Sequence, residues 1–338
     1  MMVPDNLKEE PHSTRNSSLG KEQFTIARIF GAYYELYSKD RLYVRAVLKG
    51  KLRLKSTEDR HPFVVGDLVT AESGYGEEWI ILEKEERSNY LTRRSEHGDN
   101  HVLCANLDQV AILASYKDPE TKDGFIDRLL VACYHTKIKP LIIFTKSDLV
   151  DPSLKKEKED FYSNLGYEVM SVSIEDENTF PVLWKVLQGK KTFLCGNSGV
   201  GKSTLLNQLT KKSVQKVQKT NEVSGSTKKG KHTTTNSLAV FLEEDTVIID
   251  SPGVKEWGIL HLSKQELLES FPELSSAKEQ CSSQYCCDLG PECNMVRFME
   301  NGLLESRKKS LESMFESLDK PHRVTRRDHW SQAITKRY

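Results

Sequence analysis

One eight-residue segment constrains the fold of this chain more than any other. Residues 196–203 read Gly-Asn-Ser-Gly-Val-Gly-Lys-Ser, which fits the phosphate-loop pattern G-x-x-x-x-G-K-[S/T] at every position. An apolar run at 191–195 precedes the segment and a helical pattern at 204–209 follows it, so the strand–loop–helix context is present. The sequence therefore predicts an α/β domain in which backbone amides at a helix N-terminus bind nucleotide phosphates.

Specific side chains of this region have predicted roles. Lys202 is expected to reach the terminal phosphates, and the Ser203 hydroxyl is expected to ligate Mg²⁺. The run at 247–250 ends in Asp-x-x-Gly, where Asp250 would hold the Mg²⁺ shell and the Gly253 amide would face the γ-phosphate. The predicted nucleotide contacts of the phosphate loop are Gly196, Asn197, Ser198, Gly199, Val200, Gly201, Lys202, Ser203 and Thr204.

A second motif predicts which base is bound. Residues 145–148 read Thr-Lys-Ser-Asp at the end of an apolar run, which matches the Asn/Thr-Lys-x-Asp pattern that reads guanine. The Asp148 carboxylate can accept from N1–H and the exocyclic amine of guanine, which adenine does not offer, so a site built this way rejects adenine. Lys146 would lie along the base beside Thr145. Ser173, after a predicted strand at 168–172, is a candidate for a base-edge contact.

The order of these motifs is unusual. In an ordinary GTPase the phosphate loop comes first and the guanine-reading motif comes late, whereas here residues 145–148 precede residues 196–203. Domain termini often lie close together, so a circularly permuted chain can build the same sheet. The alternation of apolar strands and helical patterns from residue 102 to 250 predicts a parallel sheet covered by helices on both faces.

Composition and pattern predict the rest of the organisation. We expect a disordered tail at 1–21, a small oligonucleotide-binding-like (OB-like) β-barrel at 22–98, the permuted GTPase domain at 99–262, and a helical cysteine-cluster domain with a basic tail at 263–338. The barrel rests on five short alternating runs, at 24–30, 33–37, 42–48, 63–69 and 79–82. Residues 211–231 carry seven lysines against one glutamate and predict a mobile switch loop.

Charge and cysteine content exclude several classes of protein. Lys+Arg and Asp+Glu each number 49, so bulk charge does not hold this chain to nucleic acid and only local patches can do so. No apolar run approaches the ~20 residues of a membrane helix. The polar N-terminus lacks the apolar segment of a secretory signal, so we expect a cytoplasmic protein. Four of the seven cysteines fall within 281–293, which favours metal binding over disulfides.

The motifs together resemble the circularly permuted GTPases of the RsgA (YjeQ) family. The resemblance rests on residues 105–109, 126–128, 145–148, 196–203, 230–235 and 250–253. It implies an OB-like barrel, a permuted GTPase domain and a C-terminal zinc module. It also implies a GTPase that binds the small ribosomal subunit and its rRNA, assists late maturation, hydrolyses GTP on the subunit, and is then released. We expect a monomer that binds GTP and GDP.

The resemblance also suggests functional residues. Thr234 matches the switch threonine that senses Mg²⁺ and the γ-phosphate. Val254 stands where Ras-like GTPases have the glutamine that orients water, so His232 becomes the candidate for positioning the attacking water.

A zinc site is also implied. Cys281, Cys286 and Cys293 match three zinc ligands of the family. Asp288 takes the place of the family's histidine, whereas Cys287 is a softer ligand, so the fourth position stays open between these two.

Other functions remain open at this stage. A P-loop ATPase or kinase could use the same phosphate loop on another substrate. A non-catalytic RNA-binding scaffold could use the nucleotide only to set its conformation. Aromatic and basic side chains interleave along the predicted barrel, which suits base stacking and phosphate contacts, although half of the aromatic residues must face the core. These barrel residues are Tyr33, Tyr34, Tyr37, Arg41, Tyr43, Arg45, Lys49, Lys51, Arg53 and Lys55.

Overall fold

A computed structural model describes residues 20–50, 52, 63–74, 76–94, 100–220, 237–250, 259, 262–280 and 293–319. Within these ranges five strands form the N-terminal barrel, in the order β1-β2-β3-β5-β4 with β4 pairing back onto β1. Phe24, Ile26, Leu36, Val69 and Ile81 fill its interior. The predicted OB-like barrel is therefore confirmed. Its strands are β1 Lys21–Phe30, β2 Tyr33–Ser38, β3 Tyr43–Leu48, β4 Leu68–Ser73 and β5 Glu78–Lys84.

The fourth barrel strand lies later in the chain than its apolar pattern predicts. The run at 63–69 suggested a strand, but β4 begins at Leu68 and a turn precedes it. Gly66 in this turn has φ +91°, and a Cβ there would collide with the carbonyl of Ala105. Asp67 stabilises the turn, since its carboxylate accepts from the Val64 amide and pairs with Arg87 at 2.6 Å. The apolar side chains of residues 63–65 are therefore buried ahead of the strand, whereas Leu68 and Val69 of the same run lie within it.

A hairpin that the sequence did not predict links the barrel to the central sheet. It consists of β6 Tyr90–Arg94 and β7 Asn100–Ala105. The central sheet follows, with strand order β10-β9-β8-β11-β13-β12, and its first five strands are parallel as predicted. Its strands are β8 Gln109–Ser115, β9 Lys139–Thr145, β10 Glu168–Ser171, β11 Lys191–Gly196, β12 Leu238–Phe241 and β13 Val247–Asp250.

In the part of the chain that the structure describes, four helices cover the two faces of this sheet. One face packs Ile112 and Phe144 against the first two helices, and the other packs Leu113 and Leu194 against the next two. The helices are α1 Asp123–Thr136, α2 Pro152–Asn164, α3 Thr179–Leu187 and α4 Lys202–Thr220.

The helix after the phosphate loop is longer than its predicted span of 204–209. Residues 211–220, which we assigned to a mobile loop, are helical, so that part of the assignment was wrong. Lysine and glutamine have good helix propensity, and no glycine or proline interrupts the segment before Gly225. The remainder of the predicted loop, 221–231, lies outside the described residues.

The described C-terminal residues form short helices that pack on α1. The Ser263 side chain accepts from the Glu266 amide while the Glu266 side chain accepts from the Ser263 amide, a capping box that starts the first of these helices. Val131 of α1 belongs to the same apolar cluster as Leu268 and Leu311. The helices are α5 Lys264–Glu269, α6 Ser275–Glu279, α7 Asn294–Asn301 and α8 Glu305–Asp319.

Candidate functional site

The predicted nucleotide-binding residues that the structure describes follow the ends of neighbouring strands at one edge of the central sheet. Because β9, β10, β11 and β13 run parallel to one another, their carboxyl ends meet at the same edge. Such an edge is where open α/β sheets bind ligands. The residues concerned are Thr145, Lys146, Asp148, Ser173, residues 196–204 and Asp250.

The phosphate loop connects β11 to α4 through a backbone that needs glycine. Gly199 and Gly201 have φ of +83° and +96°, a region that side chains rarely enter. At Gly196 the backbone lies so close to β8 that a Cβ would be 2.6 Å from the Leu113 carbonyl oxygen. Val200 is fully buried and anchors the loop, whereas Ser198 and Gly199 are exposed at its tip. The loop can therefore present its amides to an anion.

Lys202 lies folded over this loop. Its Nζ donates to the carbonyl oxygens of Gly196 at 2.5 Å and Asn197 at 2.9 Å. Burial lowers the pKa of the Lys202 ammonium, and the nearby Asp250 carboxylate partly opposes this change by favouring the charged form. The ammonium thus lies between the loop and the strand that carries Asp250, where phosphate oxygens would meet it.

The described residues fit a magnesium ion held jointly with a nucleotide. Ser203 and Thr204 are exposed in the first turn of α4, and Asp250 ends β13 in register with Leu194 of β11. A hydroxyl and a carboxylate are the oxygen ligands that Mg²⁺ prefers, and Mg²⁺ commonly completes its shell with phosphate oxygens and water. Bound Mg²⁺ would neutralise charge on the phosphates.

The guanine-reading motif lies beside the loop that follows β10. The Ser173 hydroxyl is 2.5 Å from Oδ1 of Asp148 and accepts from the Glu175 amide at 3.1 Å. Lys146 has a left-handed backbone (φ +57°) and donates from Nζ to the Asp118 carbonyl. Asp148 lies in the one-turn helix Ser147–Leu149, so a short turn places its carboxylate against Ser173.

Thr145 connects the guanine-reading motif to the phosphate loop. Its buried hydroxyl donates to the Val200 carbonyl oxygen at 2.7 Å, and β9, which ends at Thr145, is separated from β11, which precedes Val200, by one strand, β8. The loop after β8 makes a second connection, because Pro119 packs on Gly199 while the Asp118 carbonyl accepts from Lys146. Sequence reasoning missed this loop; its position directly after the buried strand β8 was the signal available.

Several predicted site residues fall outside the described part of the chain. They are His232, Thr234, Gly253, Cys281, Cys286, Cys287 and Asp288. Cys293 is described and lies buried at the start of α7. Within the described ranges no three His, Cys, Asp or Glu side chains are grouped so as to hold a metal ion. Of the helices described, none has the length and apolarity to cross a membrane.

A phosphate loop and a guanine-reading motif, in reversed chain order but at one edge of one parallel sheet, define a circularly permuted P-loop GTPase. The family model for the RsgA GTPase matches residues 84–260, which is more than half of the chain. This protein belongs to the RsgA GTPase family.

Relatives and solved structures agree with this assignment. The small ribosomal subunit biogenesis GTPase RsgA of Cytophaga hutchinsonii is 36% identical over 283 residues, covering 81% of this chain and 91% of that protein. The Bacteroides thetaiotaomicron protein RsgA 2 is 33% identical over 85% of this chain and 94% of its own length. The crystal structure of YjeQ from Thermotoga maritima superposes with a TM-score of 0.68 at 26% identity, over 88% of this chain and 98% of that one. The circularly permuted GTPase YloQ shares the fold, with a TM-score of 0.66 at 22% identity over 93% of this chain and all of its own.

Proposed function

We propose that this protein is a Mg²⁺-dependent GTPase that binds the small ribosomal subunit, assists its late maturation, and is released after hydrolysis. The observation that carries the proposal is the shared sheet edge, where a hydrogen bond from Thr145 to Val200 connects the tetrapeptide that contains Asp148 to the phosphate loop. The name shared by these relatives, small ribosomal subunit biogenesis GTPase, supports the cellular role.

Each nucleotide contact has a role in this proposal. Asp148 and Ser173 read guanine, Lys146 lies along the base, residues 196–204 bind the phosphates, and Ser203 and Asp250 ligate Mg²⁺. Thr234 and Gly253 sense the γ-phosphate, and His232 positions the attacking water; these three roles rest on the motifs alone. Here the chain's own groups orient the triphosphate and water, and Lys202 offsets charge on the phosphates.

We infer that the barrel contacts rRNA. The Arg28 guanidinium lies 4.9 Å from the ring centre of Phe30, and the Arg45 guanidinium lies 3.7 Å from that of Tyr33. Phe30 and Tyr33 are 49% and 41% exposed, so both rings are accessible from solvent. Exposed rings beside arginines suit base stacking and phosphate contacts. A cytoplasmic monomer remains our proposal for its location and state.

A zinc ion bound by Cys281, Cys286, Cys293 and either Asp288 or Cys287 is also proposed. It rests on the cysteine spacing. The domain division at residues 21, 98 and 262 is kept as a proposal too, and the β6–β7 hairpin spans the second boundary.

GTP turnover measured with and without purified small ribosomal subunits tests the proposed function. We expect slow hydrolysis by the protein alone and strong stimulation by small subunits, with large subunits as the control. His232→Ala should bind GTP normally and lose the stimulation. Absence of GTP hydrolysis in the presence of small subunits would overturn the proposal and favour a nucleotide-gated scaffold.

A further inference from the structure

The first barrel strand is shared between two sheets. The N-terminal half of β1 closes the barrel by pairing with β4 over residues 21–25. A bulge between Ile26 and Arg28 follows, and Arg28 then pairs with Leu238 of β12. Bulges bend a strand and re-aim it, which explains how β1 leaves β4 and reaches the GTPase sheet. The barrel is therefore joined to the central sheet by backbone pairing.

This pairing covers a strand that would otherwise form the edge of the central sheet. β12 has four residues and, among the described strands of that sheet, a single neighbour, β13. A short edge strand with one partner has little stability of its own. Because β1 adds to its free side, the barrel contributes to holding β12 in place.

The covered strand lies beside the predicted hydrolytic centre. Leu238 is in register with Asp250 of β13, and Asp250 is in register with Leu194 of the phosphate-loop strand. Neighbouring strands are ~4.8 Å apart, so the backbone of Arg28 is roughly 10 Å from that of Asp250. One row across the sheet contains Arg28, Leu238, Asp250 and Leu194.

Aromatic side chains join the barrel to the far end of the same strand. Tyr37 of β2 stacks on Phe241 of β12 with ring centres 3.8 Å apart and an angle of 16° between the rings. Tyr43 of β3 meets Phe241 edge-on at 6.1 Å and Tyr37 at 4.9 Å. We call Tyr37, Tyr43 and Phe241 the aromatic junction. β12 is thus held by the barrel at both of its ends.

We propose that the barrel is a positioning element for Mg²⁺-dependent GTP hydrolysis and that Phe241 is the positioning residue through which it acts. The inference rests on the proposed GTPase function. The aromatic junction fixes the β12–β13 hairpin, and β13 carries the carboxylate of Asp250. The residues proposed to contact the base and the phosphates, in contrast, follow β9, β10 and β11. None of these three strands pairs with β12 or with a described barrel strand. A partner that moves the barrel would therefore change hydrolysis more than it changes nucleotide binding.

The test compares variants of the full-length protein. Phe241→Leu and Tyr37→Leu remove the stacked pair while keeping apolar side chains. We expect the Mg²⁺ concentration for half-maximal GTP hydrolysis to rise about fivefold, the factor that an ordinary aromatic pair would supply. The affinity for a fluorescent GDP analogue without Mg²⁺ should stay within about twofold of the wild-type affinity, which is the difference expected between sites that do not interact. The double variant should raise the half-maximal Mg²⁺ concentration no further than either single variant does, because each single variant already removes the stacked pair.

Trp79→Leu is the matched control. Trp79 packs edge-on against Phe24 inside the barrel at 4.7 Å, so its loss weakens the barrel without touching β12. Thermal unfolding of each variant is measured to test whether it is folded. Wild-type Mg²⁺ dependence in folded Phe241→Leu, or an equal shift in Trp79→Leu, overturns the inference.

The Mg²⁺ dependence of the affinity for a non-hydrolysable GTP analogue is measured in parallel. In Phe241→Leu, the Mg²⁺ concentration that gives half of the maximal affinity should rise by the same factor of about five. If wild type fails to hydrolyse GTP, the proposed function fails, while this binding measurement still decides the inference.

Discussion

The hydroxyl of Ser173 lies 2.5 Å from Oδ1 of Asp148, and these two residues belong to loops that follow different strands. Ser173 also accepts from the Glu175 amide, so its hydroxyl hydrogen is available to the carboxylate. The serine thereby orients the side chain that we propose reads guanine. In this arrangement Ser173 also supports base recognition by positioning Asp148, in addition to the base-edge contact proposed for it.

Replacing this serine should weaken binding of guanine nucleotides. A hydrogen bond to a charged group contributes about 1.5–3 kcal/mol, so Ser173→Ala should raise the dissociation constant for GDP about tenfold or more. Isothermal titration with GDP measures the change. Ser171→Ala is the control, because Ser171 bonds to the Tyr116 hydroxyl away from Asp148 and should bind GDP as wild type does. Equal affinities for all three proteins would contradict the positioning role.

Changing the carboxylate itself should change the preferred base. Asp148→Asn offers an amide where guanine needs an acceptor for two donors, whereas xanthine presents a carbonyl in place of the exocyclic amine. We expect the variant to lose affinity for GTP and to gain affinity for xanthosine triphosphate, because mismatched buried polar groups are costly. Competition binding with both nucleotides and with ATP measures the preference. An unchanged preference would favour the ATPase or kinase alternative.

A buried ion pair should make the C-terminal helices sensitive to one substitution. Arg307 of α8 donates to Asp127 of α1 at 2.5 Å and to Glu273 at 2.7 Å, and its side chain is 2% exposed. Removing one partner of a buried pair leaves an uncompensated charge, so Arg307→Met should lower the free energy of unfolding by about 3–5 kcal/mol at pH 8. Urea unfolding measures this loss. Lys309→Met, which breaks an exposed pair on the same helix, should change stability by less than about 1 kcal/mol.

The same pair predicts a pH dependence. Burial raises the pKa of Asp127 from 3.8 to about 6, although Arg307 opposes the change. Since the folded protein binds this proton more tightly, the contribution of Asp127 to stability is present below the unfolded pKa and is lost as pH rises through about 6. The loss of unfolding free energy caused by Arg307→Met should accordingly become smaller between pH 8 and pH 5. Adding Asp127→Asn to Arg307→Met should recover much of the lost stability at pH 8. A deficit independent of pH would mean that lost packing is its cause.

Three cysteines should be unreactive in the native protein. Cys104, Cys133 and Cys195 are buried, and burial raises the pKa of Cys133 to about 12 and the pKa of the other two thiols as well. The thiolate is the reactive form, so iodoacetamide at pH 8 should leave all three unmodified. Mass spectrometry of digested protein reads the labelling. The denatured protein, in which all three should react, is the control; rapid native labelling would contradict the buried placement.

Much of the fold follows from local patterns in the chain. Apolar runs identified β8, β9, β11 and β13, and α3 spans Thr179–Leu187 as its periodicity predicts. The pattern around Gly66 misled us, because burial within a turn and burial within a strand select the same side chains. The extension of α4 was missed because lysine-rich segments suit both an exposed helix and a loop. The four-residue strand β12 was not predicted, although β13, which has the same length, was.

The sequence by itself determined the chemistry and the order of the motifs, because a phosphate loop and a base-reading tetrapeptide are each defined by residues next to one another. Tertiary structure alone decided what joins them. The Thr145–Val200 bond, the pairing of Arg28 with Leu238 and the contact between Asp127 and Arg307 span 55, 210 and 180 positions of the chain. No local periodicity encodes such contacts, since they arise only when strands and helices pack to bury their apolar faces.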